Sequence, residues 1–120
     1  MTGNLVHFEF PADDAGRAKS FWNSLFGWDF EEYEGSGYYM TQTPQPGGAL
    51  QSRQEGQTGV TVYFDTDDVE AASEKVKSLG GTVVMPKSPV PKMGYFAICL
   101  DTEGNTFGIW ESDESAAAPS

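Results

Sequence analysis

Apolar and polar residues alternate from Leu5 to Phe10, the period of an extended strand. Val6, Phe8 and Phe10 share one face; His7 and Glu9 share the other. Pro11 is expected to end that strand. The period then changes. Ala18, Phe21, Trp22, Leu25 and Phe26 recur at helical spacing, so a helix is predicted from about Ala15 to Phe26. Asp13 and Asp14 stand where N-cap residues belong, and Gly27 is placed for a left-handed stop. Further strands are predicted over Trp28 to Tyr33, Tyr38 to Gln42 and Gly47 to Gln51. Gly35 and Gly37 mark a turn, Pro44 and Pro46 a loop, and SRQEGQTG a polar connector.

The pattern then begins again. VHFEFPADDAGRAKSFWNSLFG, Val6 to Gly27, lies without a gap on VTVYFDTDDVEAASEKVKSLGG, Val60 to Gly81. Phe10 falls on Phe64, Asp13-Asp14 on Asp67-Asp68, Leu25 on Leu79 and Gly27 on Gly81. A repeat of this kind means that one supersecondary unit occurs twice. The second copy predicts a strand over Thr61 to Asp65 and a helix whose apolar face is Val69, Ala72, Val76 and Leu79. Strands follow over Thr82 to Met85, Gly94 to Leu100 and Asn105 to Glu111, with a proline-rich loop from Lys87 to Gly94 placed to cover a pocket mouth. Each half reads βαβββ. The fold class is therefore α+β: two βαβββ modules in one chain, forming an eight-stranded open cup with both helices outside. The expected domain is 1–114, with modules at about 4–52 and 58–112 and a flexible tail at 115–120.

Composition narrows the function. A net charge of −11 over 120 residues argues against nucleic acid and against anionic membrane surfaces. The acidity reads as solubility or as adaptation to salt, and the sequence leaves both open. No run reaches the ~20 apolar residues of a membrane span, and the N-terminus lacks a signal-peptide pattern. Cys99 is the only cysteine; it sits in the apolar run AICL and is expected in the core. No internal disulfide is possible, so a reducing cytoplasm is the expected location. Phosphate-cradling glycine loops and a nucleophile elbow are absent. The paired aspartates invite a metal reading, but each pair immediately precedes a helix, and capping explains both.

Three stretches carry a family resemblance. FPADDAGRAKSFWNSLFGW and DTDDVEAASEKVKSLGGTV resemble the two strand-helix units of the vicinal-oxygen-chelate superfamily, which contains glyoxalase I, bleomycin-resistance proteins and extradiol dioxygenases. MGYFAICLDTEGNTFGIWE resembles its closing hairpin, with Thr102 where the family usually has proline. The resemblance runs from His7 to Glu111. It implies an open cup in which each module gives a divalent metal one ligand from its first strand and one from its last. It also implies a small-molecule ligand or substrate, and a homodimer. Carried over by position, the first ligand falls on His7 and the third on Thr61, which the repeat pairs with His7. The fourth falls on Gly108, four residues after Gly104; the second falls near Gly48.

Those residues do not make a metal site. A catalytic divalent ion needs about three nitrogen, oxygen or sulfur ligands from the protein. Glycine offers no side chain and a threonine hydroxyl is a poor ligand, which leaves His7. No metal or other cofactor is therefore expected, unless different ligands such as Glu9, Gln51 or Glu111, or residues of a partner subunit, hold one. The glycines are instead expected to open space in the cup. By strand alternation His7, Glu9, Thr61, Tyr63, Gly108 and Trp110 should face the concave side, and Leu50 with them. Tyr63 and Trp110 could then stack on a planar ligand. His7 and Glu9, roughly 6–7 Å apart on one strand face, are the candidate catalytic pair, with the carboxylate expected to raise the imidazole pKa. Two functions follow. The first is a metal-independent small-molecule binding protein. The second is a lyase or isomerase of the glyoxalase type, acting through His7 and Glu9 or through atypical metal ligands.

Overall fold

The structure, a computed structural model, describes residues 3–41, 46–53 and 59–117. Gln42, Pro44 and residues 54–58 of the polar connector lie outside the described residues. Eight strands and two helices alternate in the order the repeat demands: β1 (Leu5–Ala12), α1 (Ala15–Phe26), β2 (Glu31–Glu32), β3 (Tyr38–Thr41) and β4 (Gly47–Ser52), then β5 (Thr61–Asp65), α2 (Val69–Ser78), β6 (Thr82–Val90), β7 (Gly94–Leu100) and β8 (Thr106–Ser112). The fold is α+β, as predicted. The chain forms two compact units, Val6–Val62 and, with the first residues of the chain, Tyr63 onward.

In the first unit the strand order is β2-β3-β4-β1. β1 runs parallel to β4, with Phe8 opposite Gly48 and Phe10 opposite Leu50; β3 runs antiparallel to β4, with Tyr38 opposite Gln51. Directly opposed residues point to the same side of a sheet, so two faces can be read off. Phe8, Phe10, Leu50 and Tyr39 face α1, where Phe10 stacks on Trp22 at 5.0 Å. His7, Glu9, Ala49, Gln51 and Tyr38 face away from α1. The helix starts as its sequence predicts: Asp14 accepts a hydrogen bond from Arg17 N–H at 3.0 Å, and Gly27 closes it at φ 76°. Asp13 pairs instead with Arg53.

The second unit has the same topology, β6-β7-β8-β5, with β5 parallel to β8. Gly3 and Asn4 belong to it by backbone bonds with Asp65. Asp68 caps α2 by accepting from Ala71 N–H at 3.0 Å. The core beneath α2 is Val69, Ala97, Cys99 and Ile109. Cys99 is a free thiol, fully buried, with burial pushing its pKa up. The turn before β8 is built by Asp101, whose carboxylate accepts from Glu103 N–H, Asn105 N–H and the Asn105 amide. Those bonds hold Asp101 below the usual carboxylate range. The DTEGN motif is thus a turn device, and Thr102 in place of proline leaves it intact.

Four elements differ from expectation. β1 continues through Pro11 to Ala12, whose carbonyl accepts from Arg53 N–H at 2.9 Å; an acceptor bond needs no proline N–H. The strand expected over Trp28 to Tyr33 shrinks to Glu31–Glu32, because Trp28 joins an aromatic stack under α1. The proline-rich stretch is no pocket cover: β6 runs to Val90 through Pro86 and Pro89. It lies at an end of the strand order and carries register shifts between Val83 and Met85 and between Met85 and Ser88, where proline is tolerated. Residues 113–116 are anchored, with Ala116 buried and its carbonyl accepting from Lys92 N–H at 2.8 Å.

Candidate functional site

The non-helix face of the first unit carries a hydrogen-bonded triad. β1 projects His7 and Glu9 to that side, and the β3–β4 register brings Tyr38 across to meet both. Tyr38 Oη lies 2.6 Å from His7 Nε2 and 2.6 Å from Glu9 Oε2. The proton inventory orders the chain of bonds. A carboxylate can only accept, so the Tyr38 hydroxyl donates to Glu9 and its lone pair accepts from His7 Nε2–H. That arrangement selects the imidazole tautomer protonated at Nε2. Short bonds to an ionised acceptor are the strong ones.

The His7 and Glu9 side chains are 23% and 12% exposed, with Nε2 and Oε2 3.9 Å apart. Burial lowers the His7 pKa below its ordinary value, and the Glu9 carboxylate opposes this without overcoming it. The sequence-based expectation had the opposite sign. Desolvation of the buried ring outweighs the attraction of the carboxylate. His7 is therefore a neutral imidazole at neutral pH, and its contact with Glu9 is a bridged hydrogen-bond relay, not an ion pair.

The four positions that the family resemblance assigned to metal ligands can now be placed. The repeat aligns Glu9 with Tyr63, and the registers pair Glu9 with Ala49 and Tyr63 with Gly108. Ala49 is thus the first-module counterpart of Gly108. Gly48, the expected second position, is on the α1 side, where a Cβ would overlap the Phe8 ring. The set is then His7, Ala49, Thr61 and Gly108: one imidazole, a buried threonine hydroxyl and two positions with no donor. Among the described residues no three His, Cys, Asp or Glu side chains gather as ligands. Glu111, considered as a substitute, faces α2 and accepts from Val69 N–H at 2.9 Å. The donors present do not fit a family-type divalent ion.

Gly108 does not open space either. A Cβ built there would lie 2.8 Å from Tyr63 Cγ and closer still to Cδ2 and Cε2, because the Tyr63 ring lies across the glycine. Tyr63 is buried and fills the room that the missing side chain leaves. Trp110 shares the Gly108 side of β8, half-buried, with Nε1–H donating to Ser112 Oγ at 2.9 Å. Leu50 is on the wrong face for the site, fully buried on the α1 side. Sequence reasoning found His7 and Glu9 but missed Tyr38. Its only signal was alternation with Tyr39, and alternation alone does not say which of two adjacent tyrosines meets β1.

The two βαβββ units and the hairpin motif are those of one family, and a family model settles it. The Glyoxalase/Bleomycin resistance protein/Dioxygenase superfamily model matches residues 4–109, and the chain belongs to that superfamily. Among curated proteins it is 31% identical over 119 residues to the putative glyoxylase CFP32 of Mycobacterium bovis, covering 88% of this chain and 44% of that protein. It is 30% identical over 129 residues to the anthracycline biosynthesis protein DnrV of Streptomyces peucetius, covering 90% and 46%. The chain thus spans about half the length of these relatives. Among solved structures, a superfamily member from Vibrio splendidus matches with a TM-score of 0.70 at 13% identity, covering 94% of this chain and 100% of the other; that likeness shows the fold. No helix among the described residues is long and apolar enough to cross a membrane.

Proposed function

We propose that this chain binds a small organic molecule on the face carrying His7, Tyr38 and Glu9, and that it does so without the metal centre of its family. The observation that carries this reading is the relay itself: a fixed imidazole-hydroxyl-carboxylate array at the strand position where the resemblance places the first metal ligand. With both protons of the relay committed, it offers lone pairs, which recognise hydroxyl donors such as enols and phenols by hydrogen bonding. Relatives named for glyoxylase and for anthracycline biosynthesis support a small organic ligand.

A second reading is a glyoxalase-type lyase or isomerase in which His7 accepts a proton from carbon. It is favoured by one observation, that burial keeps the imidazole in its neutral form, which has a nitrogen lone pair open to a proton at neutral pH. The two separate in one experiment. Metabolites and planar antibiotics are screened for thermal stabilisation, and hits are tested for turnover. Turnover abolished by His7→Ala indicates catalysis. Affinity that falls with Tyr38→Phe, with no turnover of any hit, indicates binding. Trp110→Ala tests the expected part of Trp110 and Tyr63 as ligand walls. Elemental analysis of protein purified without chelator or histidine tag comes first. One transition-metal ion per one or two chains overturns the metal-free reading.

A homodimer and a cytoplasmic location complete the proposal. The exposed Phe21 and Leu25 on α1 supply apolar surface for a second copy, which light scattering measures. The free thiol of Cys99 suits a reducing compartment.

A further inference from the structure

We infer that Glu9 decides which ligands the site takes: acting through Tyr38, it makes the His7–Tyr38–Glu9 triad a hydrogen-bond acceptor with no proton to give, so that the site selects hydroxyl ligands over carbonyl ligands. This rests on the reading that the face binds a small organic molecule, and it names the residue that sets the kind.

With the imidazole neutral, the triad holds two hydrogen-bonding protons, one on Tyr38 Oη and one on a ring nitrogen of His7. The Glu9 carboxylate brings none. Were the Tyr38 hydroxyl to donate to His7, its oxygen lone pairs would face Glu9 Oε2 at 2.6 Å with no proton between them. That arrangement is repulsive. The hydroxyl therefore donates to Glu9 and accepts from His7 Nε2–H, which spends both protons inside the triad. Whatever else these side chains touch, the triad has no proton left for a ligand. Acceptor capacity it has in excess, because a carboxylate alone offers about four lone-pair sites.

Burial makes the imbalance matter. The His7 and Glu9 side chains are 23% and 12% exposed, so a ligand carbonyl placed against them would leave water and meet no donor. A hydroxyl in the same place would meet an acceptor. Gln51, opposite Tyr38 on β4, shares the face. Its amide both donates and accepts, so it meets either ligand and does not discriminate. Glu9 is thus a positioning residue: it fixes the proton of Tyr38, and Tyr38 fixes that of His7. Without the carboxylate one proton is released, and the site gains a donor.

Two experiments test this. The first needs no ligand. His7 is the only histidine, so nitrogen-15 NMR of its ring reads the relay directly. At about pH 8, where the ring is neutral, the parent should carry its proton on Nε2 and not on Nδ1. Glu9→Leu should bring the two ring-nitrogen resonances closer together, as the Nδ1–H tautomer becomes populated. Glu9→Gln, whose amide can still accept the Tyr38 proton, should move them less. Glu103→Gln, in the Asp101 turn of the second unit, should not move them. The second experiment is calorimetric titration with 1-naphthol and 1-tetralone, which share a carbon skeleton and carry a hydroxyl and a carbonyl at the same position. The parent should bind 1-naphthol about tenfold more tightly, and Glu9→Leu should erase or reverse that preference. Should Glu9→Leu fail to fold, Glu9→Gln decides, and it should lower the preference about threefold. A parent ring protonated at Nδ1, ring resonances unmoved by loss of the carboxylate, or a naphthol preference that survives it overturns the inference. Equal loss of preference in Glu103→Gln does so too, by assigning the effect to net charge. Saturable binding of neither probe, with the ring signature as expected, instead counts against the ligand-binding reading and leaves the relay standing.

Discussion

Replacing Gly108 by alanine asks the structure a direct question, because an open pocket would accept a methyl group and a filled one would not. The built Cβ reaches 2.8 Å from Tyr63 Cγ, with two other ring carbons nearer. Ordinary carbon contact is about 3.5–4.0 Å, so the ring must retreat by roughly 1 Å or more. Tyr63 is only 6% exposed and has little room to retreat. Overpacking of this kind costs about 1–3 kcal/mol. For 120 residues the entropy of unfolding is about 0.25 kcal/mol/K, which converts that cost into a fall in Tm of about 4–12 °C. Thermal unfolding followed by circular dichroism measures it. A double-mutant cycle locates the cause. In a Tyr63→Ala background, Gly108→Ala should cost under about 0.5 kcal/mol, because the obstructing ring has gone. A Gly108→Ala protein melting within 1 °C of the parent would refute the packing argument and restore the view of Gly108 as a gap in a ligand cavity.

Three other outcomes are expected. His7 is the only histidine, and its native pKa lies below the ordinary 6.5. The unfolded chain therefore takes up the proton first, so this group's contribution is complete above pH 6.5 and is lost as pH falls through that value toward the native pKa. The stability difference between the parent and His7→Asn should show that slope. An imidazole resonance titrating above 6.5 in the folded protein would refute it. Asp68→Ala removes the cap of α2 and should cost about 1 kcal/mol in urea unfolding, whereas Asp67→Ala should change little, under about 0.5 kcal/mol. Thr41→Val replaces a hydroxyl buried without a partner among the described residues and should raise the ligand-free Tm by about 4 °C, roughly 1 kcal/mol.

The helices and the repeat were legible because their causes are local. A 3.6-residue period, an aspartate before it and a glycine after it specify α1 over Ala15–Phe26 without reference to anything distant. The two-fold repeat carried the topology, since a unit that occurs twice must be built twice, and β1–β4 and β5–β8 are indeed the same parallel pair. Alternation also put His7 on one face with Glu9 in β1, and Gly108 on one face with Trp110 in β8; the β5–β8 register adds Tyr63 to the latter. What local pattern did not contain was register. Whether Leu50 or Ala49 accompanies Glu9 depends on which residue of β4 lies opposite it, and a shift of one residue exchanges the two faces.

For the same reason the sequence determined the family, and the tertiary structure decided which groups meet at the expected ligand positions. Residue type is enough to say that a glycine brings no donor, whereas the β1–β4 register was needed to put Ala49 rather than Gly48 at the second position. Residue type does not say that Tyr38, thirty-one residues from His7, bridges the imidazole to Glu9. Nor does it show that burial outweighs a nearby carboxylate, or that an aromatic ring occupies the room a glycine leaves. Residue types fix which groups are available. Distances and desolvation, which exist only once strands are paired, fix what those groups do.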